Sequence, residues 1–264
     1  MWRKLALVGL LLPLLLSQAD ASQTREENAL GRSQGAIGTS LPELQFTDAD
    51  GRRLSLAQYR GKPLLISLVY TGCADVCPVV VESLAAADRT AEETFGKGSY
   101  NILTIGFDTR NDTPDRMRAF ARAHRAGGDN WQFAAADATT MSKLTGAVGF
   151  DYFASAGGFE HAAQVTVIDS EGRVYSQIYG GTFQPPAVME PLKSLIFGGS
   201  RPVSSLAGLG DRMKLFCTVY DPRTGRYYFS YGIFLSVLIG AFCLLGVLAF
   251  LLRELRKNLK ASRV

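Results

Sequence analysis

The sequence has little net charge, few histidines and no internal repeat, and each shortage narrows what the protein can be. Lys and Arg total 28 against 24 Asp and Glu, a formal balance of +4. So slight an excess is no electrostatic footprint for a polyphosphate, and nucleic acid is excluded as the expected partner. Part of the excess also has an address. Arg253, Arg256, Lys257, Lys260 and Arg263 crowd residues 253–264, against Glu254 alone. The absence of a repeat excludes solenoids and propellers. Imidazole occurs only at His124 and His161, and thiol only at Cys73, Cys77, Cys217 and Cys243. Any imidazole or thiol chemistry must come from these six side chains.

What the 264 residues do contain is apolar material, 47% of the total, enough for one globular domain plus membrane segments. Two runs stand out. Arg3 and Lys4, a short apolar stretch from Leu5 to Leu16 and the small residues of Ala19-Asp20-Ala21 read as a secretory signal at 1–21, an uncleaved anchor being the alternative. Residues 232–252 carry no charge, and about 20 such residues are enough to cross a bilayer. Tyr227, Tyr228, Phe229 and Tyr231 precede this run and the basic tail follows it. That arrangement predicts a C-terminal transmembrane helix with residues 253–264 cytoplasmic and the main domain on the extracytoplasmic, periplasmic side. A buried core helix is the alternative for that run. Cys243 lies within it, and Cys217 before it reads as a spare thiol, an intermolecular disulfide site or an auxiliary ligand.

Between these runs, residues 22–40 are small and polar and read as a flexible leader, and 199–231 read as a linker and juxtamembrane segment. Residues 41–198 read as an α/β domain. Asp48-Ala49-Asp50-Gly51 and Asp169-Ser170-Glu171-Gly172 are hairpin turns between short apolar segments. The runs 63–70 (PLLISLVY) and 101–107 (NILTIGF) are continuous enough to be strands buried on both faces. Helices are expected from Val79 to about Phe95 with Pro78 in the first turn, from Thr113 to about Arg125, over 139–148 with Thr139 or Thr140 as cap, and over 186–197 despite Pro191. Residues 131–133 are a short strand candidate. Strands alternating with helices argue for a mostly parallel sheet, and this order is thioredoxin-like.

Thr71-Gly72-Cys73-Ala74-Asp75-Val76-Cys77-Pro78 leaves a buried strand and enters a helix. The partial positive charge of a helix N-terminus favours thiolate over thiol. The spacing is C-x3-C, which puts two sulfurs about 6 Å apart at Cα on one helix face. They can close a disulfide or converge on one metal ion, and the spacing chooses neither. His161, just before a predicted strand, is the candidate third donor. Two thiolates and an imidazole form a soft trigonal set that suits Cu(I) and can hold Cu(II), whereas structural zinc would want a fourth protein ligand. Glu160 reads as a fourth ligand, a support for His161 or a solvated carboxylate. His124 reads as a surface residue.

Tyr70-Thr71-Gly72-Cys73 with Cys77-Pro78, the segment 106–114 (GFDTRNDTP), Trp131, Gly149-Phe150-Asp151-Tyr152, and His161 followed by Val167-Ile168-Asp169 and Gly172 together resemble the Sco/SenC family of copper-binding proteins. The resemblance covers roughly residues 40–197. It implies a thioredoxin-like fold, copper ligands at Cys73, Cys77 and His161, and a role in assembling cytochrome c oxidase, delivering copper to the binuclear site of subunit II or another exported copper protein. It also implies, as an alternative, thiol–disulfide exchange in which Cys73 and Cys77 keep such a target reduced. The anchor at the C-terminus and Glu160 before the histidine, where the family often has Asp, depart from the pattern.

Overall fold

The computed structural model describes residues 25–155, 157–198, 218–221, 226–229, 235–236, 238–247 and 253. The chain divides into two compact units, residues 1–199 and 200–264. The first is built on a seven-stranded sheet in the order β2 (Arg53–Ser55), β1 (Gln45–Asp48), β5 (Trp131–Ala135), β4 (Asn101–Gly106), β3 (Leu64–Val69), β8 (Gln164–Ile168), β9 (Val174–Tyr179). Its centre is parallel. β3 (Leu64–Val69) pairs with β4 (Asn101–Gly106), which pairs with β5 (Trp131–Ala135). All six residues of β3 are buried, which is why its sequence shows no polar alternation: both sheet faces are covered.

Antiparallel pairs complete each edge. β1 (Gln45–Asp48) and β2 (Arg53–Ser55) lie beyond β5, and β8 (Gln164–Ile168) and β9 (Val174–Tyr179) beyond β3. The two hairpins use one device. Asp48 Oδ1 accepts from the N–H groups of Asp50 and Arg52, and Asp169 Oδ1 from those of Glu171 and Arg173. In each, a short carboxylate closes the turn by bonding its own backbone.

The crossover helices follow their start signals, with one substitution. α2 (Val76–Phe95) buries Cys77, Val80, Val81, Leu84 and Ala91 along one face and packs against α5 (Pro185–Phe197). It begins at Val76, so Cys77 and Pro78 both stand in its first turn. α3 (Pro114–Ala123) is capped by Thr113, whose hydroxyl accepts from Arg116 N–H, with Pro114 at its start. α4 (Ala138–Val148) is capped by Asp137, which accepts from Thr140 N–H at 2.8 Å, and not by either threonine.

The segment expected to be a leader contains a helix, α1, over residues 25–35. Distant side chains seat it. Arg32 pairs with Asp151 at 2.5 Å, and the buried Ser33 hydroxyl meets Gln164 at 2.7 Å and Tyr179 at 2.8 Å. It leans on Gly149, the left-handed residue that ends α4 at φ 63°. A Cβ there would overlap the Arg32 carbonyl and come 2.7 Å from Ser33 Cα. Gly149→Ala is therefore expected to cost about 1–3 kcal/mol, read as a lower urea midpoint at unchanged slope. A loss under about 0.5 kcal/mol would mean that α1 yields freely.

In the second unit, the described residues form an antiparallel pair, β10 (Thr218–Asp221) with β11 (Arg226–Phe229), and helical segments at 235–236 and 238–247. This corrects the expected C-terminal span. Among the described residues no helix is long and apolar enough to cross a membrane. The continuous stretch 238–247 would rise about 15 Å, half the roughly 30 Å of a hydrocarbon core. The expected transmembrane helix is overturned. With it go the membrane-anchored, periplasmic placement and the membrane as a partner, and so the expectation that subunit II or another exported copper protein is met from a membrane anchor. The signal expected at 1–21 and Cys217 lie outside the described residues.

Candidate functional site

The site lies where β3 and β4 end. The backbone leaves β3 through Tyr70 and turns, Cys73 N–H donating to the Tyr70 carbonyl at 3.1 Å. α2 starts three residues beyond Cys73. Its N-cap residue, Asp75, makes no side-chain hydrogen bond to the helix. First-turn N–H groups have no partner within the helix, and here a sulfur takes one of them: Cys77 N–H donates to Cys73 Sγ at 3.4 Å.

That contact divides the two thiols electrostatically. Burial pushes the Cys73 thiol up, but hydrogen bonds from the N–H groups of Cys77 and Asp75, the Cys77 thiol and the Tyr70 hydroxyl outweigh it and hold Cys73 below the ordinary thiol value. Cys77, only 1% exposed, is driven well above that value, first by burial and then by the sulfur of Cys73 and the charge of Asp112. Neither cysteine is in a disulfide.

His161 reaches the Cys77 sulfur from a second sheet, where the sequence predicts a loop. β6 (Tyr152–Ser155) and β7 (Gly158–His161) form an antiparallel hairpin that pairs Tyr152 with His161. Its strands are half-buried to exposed, so they lack the apolar signature of the main sheet. The imidazole sits in an aromatic nest, with ring centroids 5.2 Å from Phe107, 5.4 Å from Phe150 and 6.2 Å from Tyr70. Nδ1 lies 3.0 Å from the Ala162 carbonyl. A carbonyl only accepts, so Nδ1 carries the proton and Nε2 presents its lone pair. Nε2 faces Cys77 Sγ at 3.9 Å. Burial lowers the imidazole pKa, against a smaller opposing effect of the Ala162 carbonyl, which keeps the ring neutral and able to ligate.

The structure thus brings Cys73, Cys77 and His161 to one place, in an asymmetric arrangement. Cys77 and His161 face each other, while the Cys73 sulfur is engaged by a helix N–H. Among the described residues no group of three or more His, Cys, Asp or Glu side chains stands at metal-holding spacing. The facing pair nevertheless suits a soft ion. Metal bonds of about 2.0 Å to nitrogen and 2.3 Å to sulfur sum to about 4.3 Å, so 3.9 Å leaves room for one ion in a bent N–metal–S arrangement.

The other candidates fall away from the sulfurs. Glu160 is paired with Arg25 at 3.7 Å and largely exposed, a solvated carboxylate. His124 packs against Phe120 with ring centroids 4.5 Å apart and tilted by 52°, and lies 3.7 Å from Glu82. Cys243 is exposed in the second unit. Two features were missed in the sequence. One is a cleft of about 680 Å³ between α1 and the β6–β7 hairpin, lined by Arg25, Leu30, Val76, Phe153, Phe159 and His161 among others. The other is Asp112, whose signal was the carboxylate following β4 immediately before the Thr113 cap.

With this geometry in hand, the chain matches the SCO1/SenC family model over residues 38–196. It is 25% identical over 88 residues to a SCO1 protein homolog of Bacillus subtilis (strain 168), covering 33% of this chain and 45% of that relative's length. It is 31% identical over 159 residues to a chloroplastic peroxiredoxin Q of Populus jackii, covering 60% of this chain and 67% of that protein. The structure of copper-bound ScoI from Bradyrhizobium japonicum superposes with a TM-score of 0.50 at 22% identity, covering 59% of this chain and 99% of the other, a likeness of fold.

Proposed function

We propose, for a chain that belongs to the SCO1/SenC family, that it is a copper carrier acting in the assembly of the binuclear copper site of cytochrome c oxidase. Copper is its cargo. Cys73, Cys77 and His161 are the donors, and a soft dithiol with a neutral imidazole is the set that Cu(I) prefers. Cys73, held toward its thiolate, is the first sulfur able to engage. Cys77 must give up a proton that burial makes it keep, so loading is coupled to proton release and weakens as pH falls. His161 waits with its lone pair aimed at Cys77.

The single observation that carries this reading is the 3.9 Å approach of His161 Nε2 to Cys77 Sγ, with Nδ1 tied off by Ala162. Its test is copper titration of the reduced protein and of His161→Ala. Affinity is expected to fall about 100-fold, with loss of the nitrogen contribution to the Cu(II) spectrum. Unchanged affinity and spectrum in the variant would end the three-donor reading.

A second reading has its own support. Two thiols of unlike acidity one turn apart, and the likeness to a peroxiredoxin, favour thiol–disulfide exchange. Cys73 as thiolate attacks a target disulfide and expels one of its sulfurs. Cys77 then displaces the target's other sulfur, leaving a Cys73–Cys77 disulfide and a reduced target. Turnover on a protein disulfide that His161→Ala leaves intact would favour this role over copper carriage.

A further inference from the structure

Asp112 is 3% exposed, and both carboxylate oxygens point at backbone that carries the site. Oδ1 accepts from Thr71 N–H at 2.8 Å and from the Thr71 hydroxyl at 2.7 Å. Oδ2 accepts from Asp108 N–H at 2.9 Å, and Asp112 N–H donates to the Asp108 carbonyl at 2.7 Å. None of these partners is a cation. A buried carboxylate without one costs several kcal/mol of desolvation, offset only in part by such hydrogen bonds.

The sheet makes room for this costly group. A Cβ at Gly106 would overlap Asp112 Cβ and come 2.8 Å from Met117 Sδ. A glycine is thus retained at the end of a buried central strand, where it packs least well, and the space goes to the carboxylate. What the carboxylate holds is the β3–α2 loop. Thr71 is two residues before Cys73, and the turn between them closes through Cys73 N–H to the Tyr70 carbonyl.

We propose that Asp112 is a positioning residue that clamps the β3–α2 loop to the β4–α3 loop and so keeps the Cys73 sulfur beneath the Cys77 N–H. The role goes beyond copper carriage, because it sets the state of the thiol pair whether the pair takes metal or exchanges disulfides. In the reduced protein the Cys77 N–H stabilises the Cys73 sulfur. Loosening the loop withdraws that support and favours the disulfide.

The test is the dithiol–disulfide equilibrium of the copper-free full chain in glutathione buffers of known ratio. In Asp112→Asn one acceptor oxygen becomes an NH2 group facing an N–H donor. The equilibrium is expected to move about tenfold toward the disulfide, a shift of about 30 mV. Thr71→Val, which deletes only the hydroxyl bond, moves it about threefold the same way, and Thr71→Ser, which keeps that bond, restores the wild-type value. Equilibria within twofold of wild type in folded Asp112→Asn and Thr71→Val would overturn the proposal, as would a shift in Thr71→Ser equal to that in Thr71→Val. Should Asp112→Asn fail to fold, the two Thr71 variants decide the matter. Because no copper is present, a negative result here is distinct from failure of the His161→Ala titration.

Discussion

Phe107→Ala is expected to lose about 3–5 kcal/mol of folding stability, the range for emptying a buried phenyl from a core. Phe107 is 1% exposed, and its ring lies 5.3 Å from Tyr70, 5.4 Å from Phe150, 4.8 Å from Tyr152, 5.4 Å from Phe159 and 5.2 Å from His161. It therefore joins the end of β4 to the β6–β7 hairpin. Tilted and edge-on aromatic pairs add about 0.5–1.5 kcal/mol each beyond area burial, and one substitution removes several at once. The hairpin is not part of the main sheet, so this nest is the packing that sets where His161 stands. Phe107→Leu refills part of the volume and should cost about half as much. Urea unfolding gives the stability, and copper titration gives the site. In Phe107→Ala both should fall, whereas a core substitution remote from the nest, such as Leu84→Ala in α2, should lower stability alone. A loss under about 1 kcal/mol for Phe107→Ala would mean that the hairpin is held by something else.

The legible part of this fold is the part whose local chemistry needs no distant partner. The continuous apolar runs gave β3 and β4, the two Asp-led turns gave the edge hairpins, and Thr113-Pro114 marked the start of α3. The C-x3-C pair and His161 stood out as rare residue types in meaningful places. What stayed hidden depends on contacts made across the chain. α1 is polar along most of its length and is seated through Asp151, Gln164 and Tyr179, more than a hundred residues away. β6 and β7 are short and half-exposed, so no alternation announces them. Asp112 reads as one more acidic residue in a loop until Thr71 is seen on its carboxylate. The run 232–252 fails in the opposite sense: its composition suits lipid, but the described helix within it is too short to cross a membrane.

Iodoacetamide at pH 7.5 should modify Cys73 faster than Cys77, by more than about tenfold. Only thiolate reacts, and each pKa unit separating two thiols changes the ratio of their thiolate fractions about tenfold, partly offset by the weaker nucleophilicity of the more acidic sulfur. Cys73 is lowered and Cys77 raised, and exposure of 8% against 1% acts in the same direction. Peptide mapping against time reads both rates in one sample. The same asymmetry has consequences for stability. Cys77 holds its proton more tightly folded than unfolded, so its contribution is complete below the ordinary thiol pKa of about 8.5 and is lost as pH rises beyond it. Cys73 has the opposite linkage: its contribution is present above about 8.5 and is lost as pH falls through its lowered folded value. Cys77→Ala should therefore flatten the alkaline decline in urea midpoint, and Cys73→Ala should remove the gain that precedes it. Comparable modification rates for the two sulfurs would mean that the Cys77 N–H does not hold Cys73, and both the order of copper engagement and the division of labour in disulfide exchange would have to be reversed or abandoned.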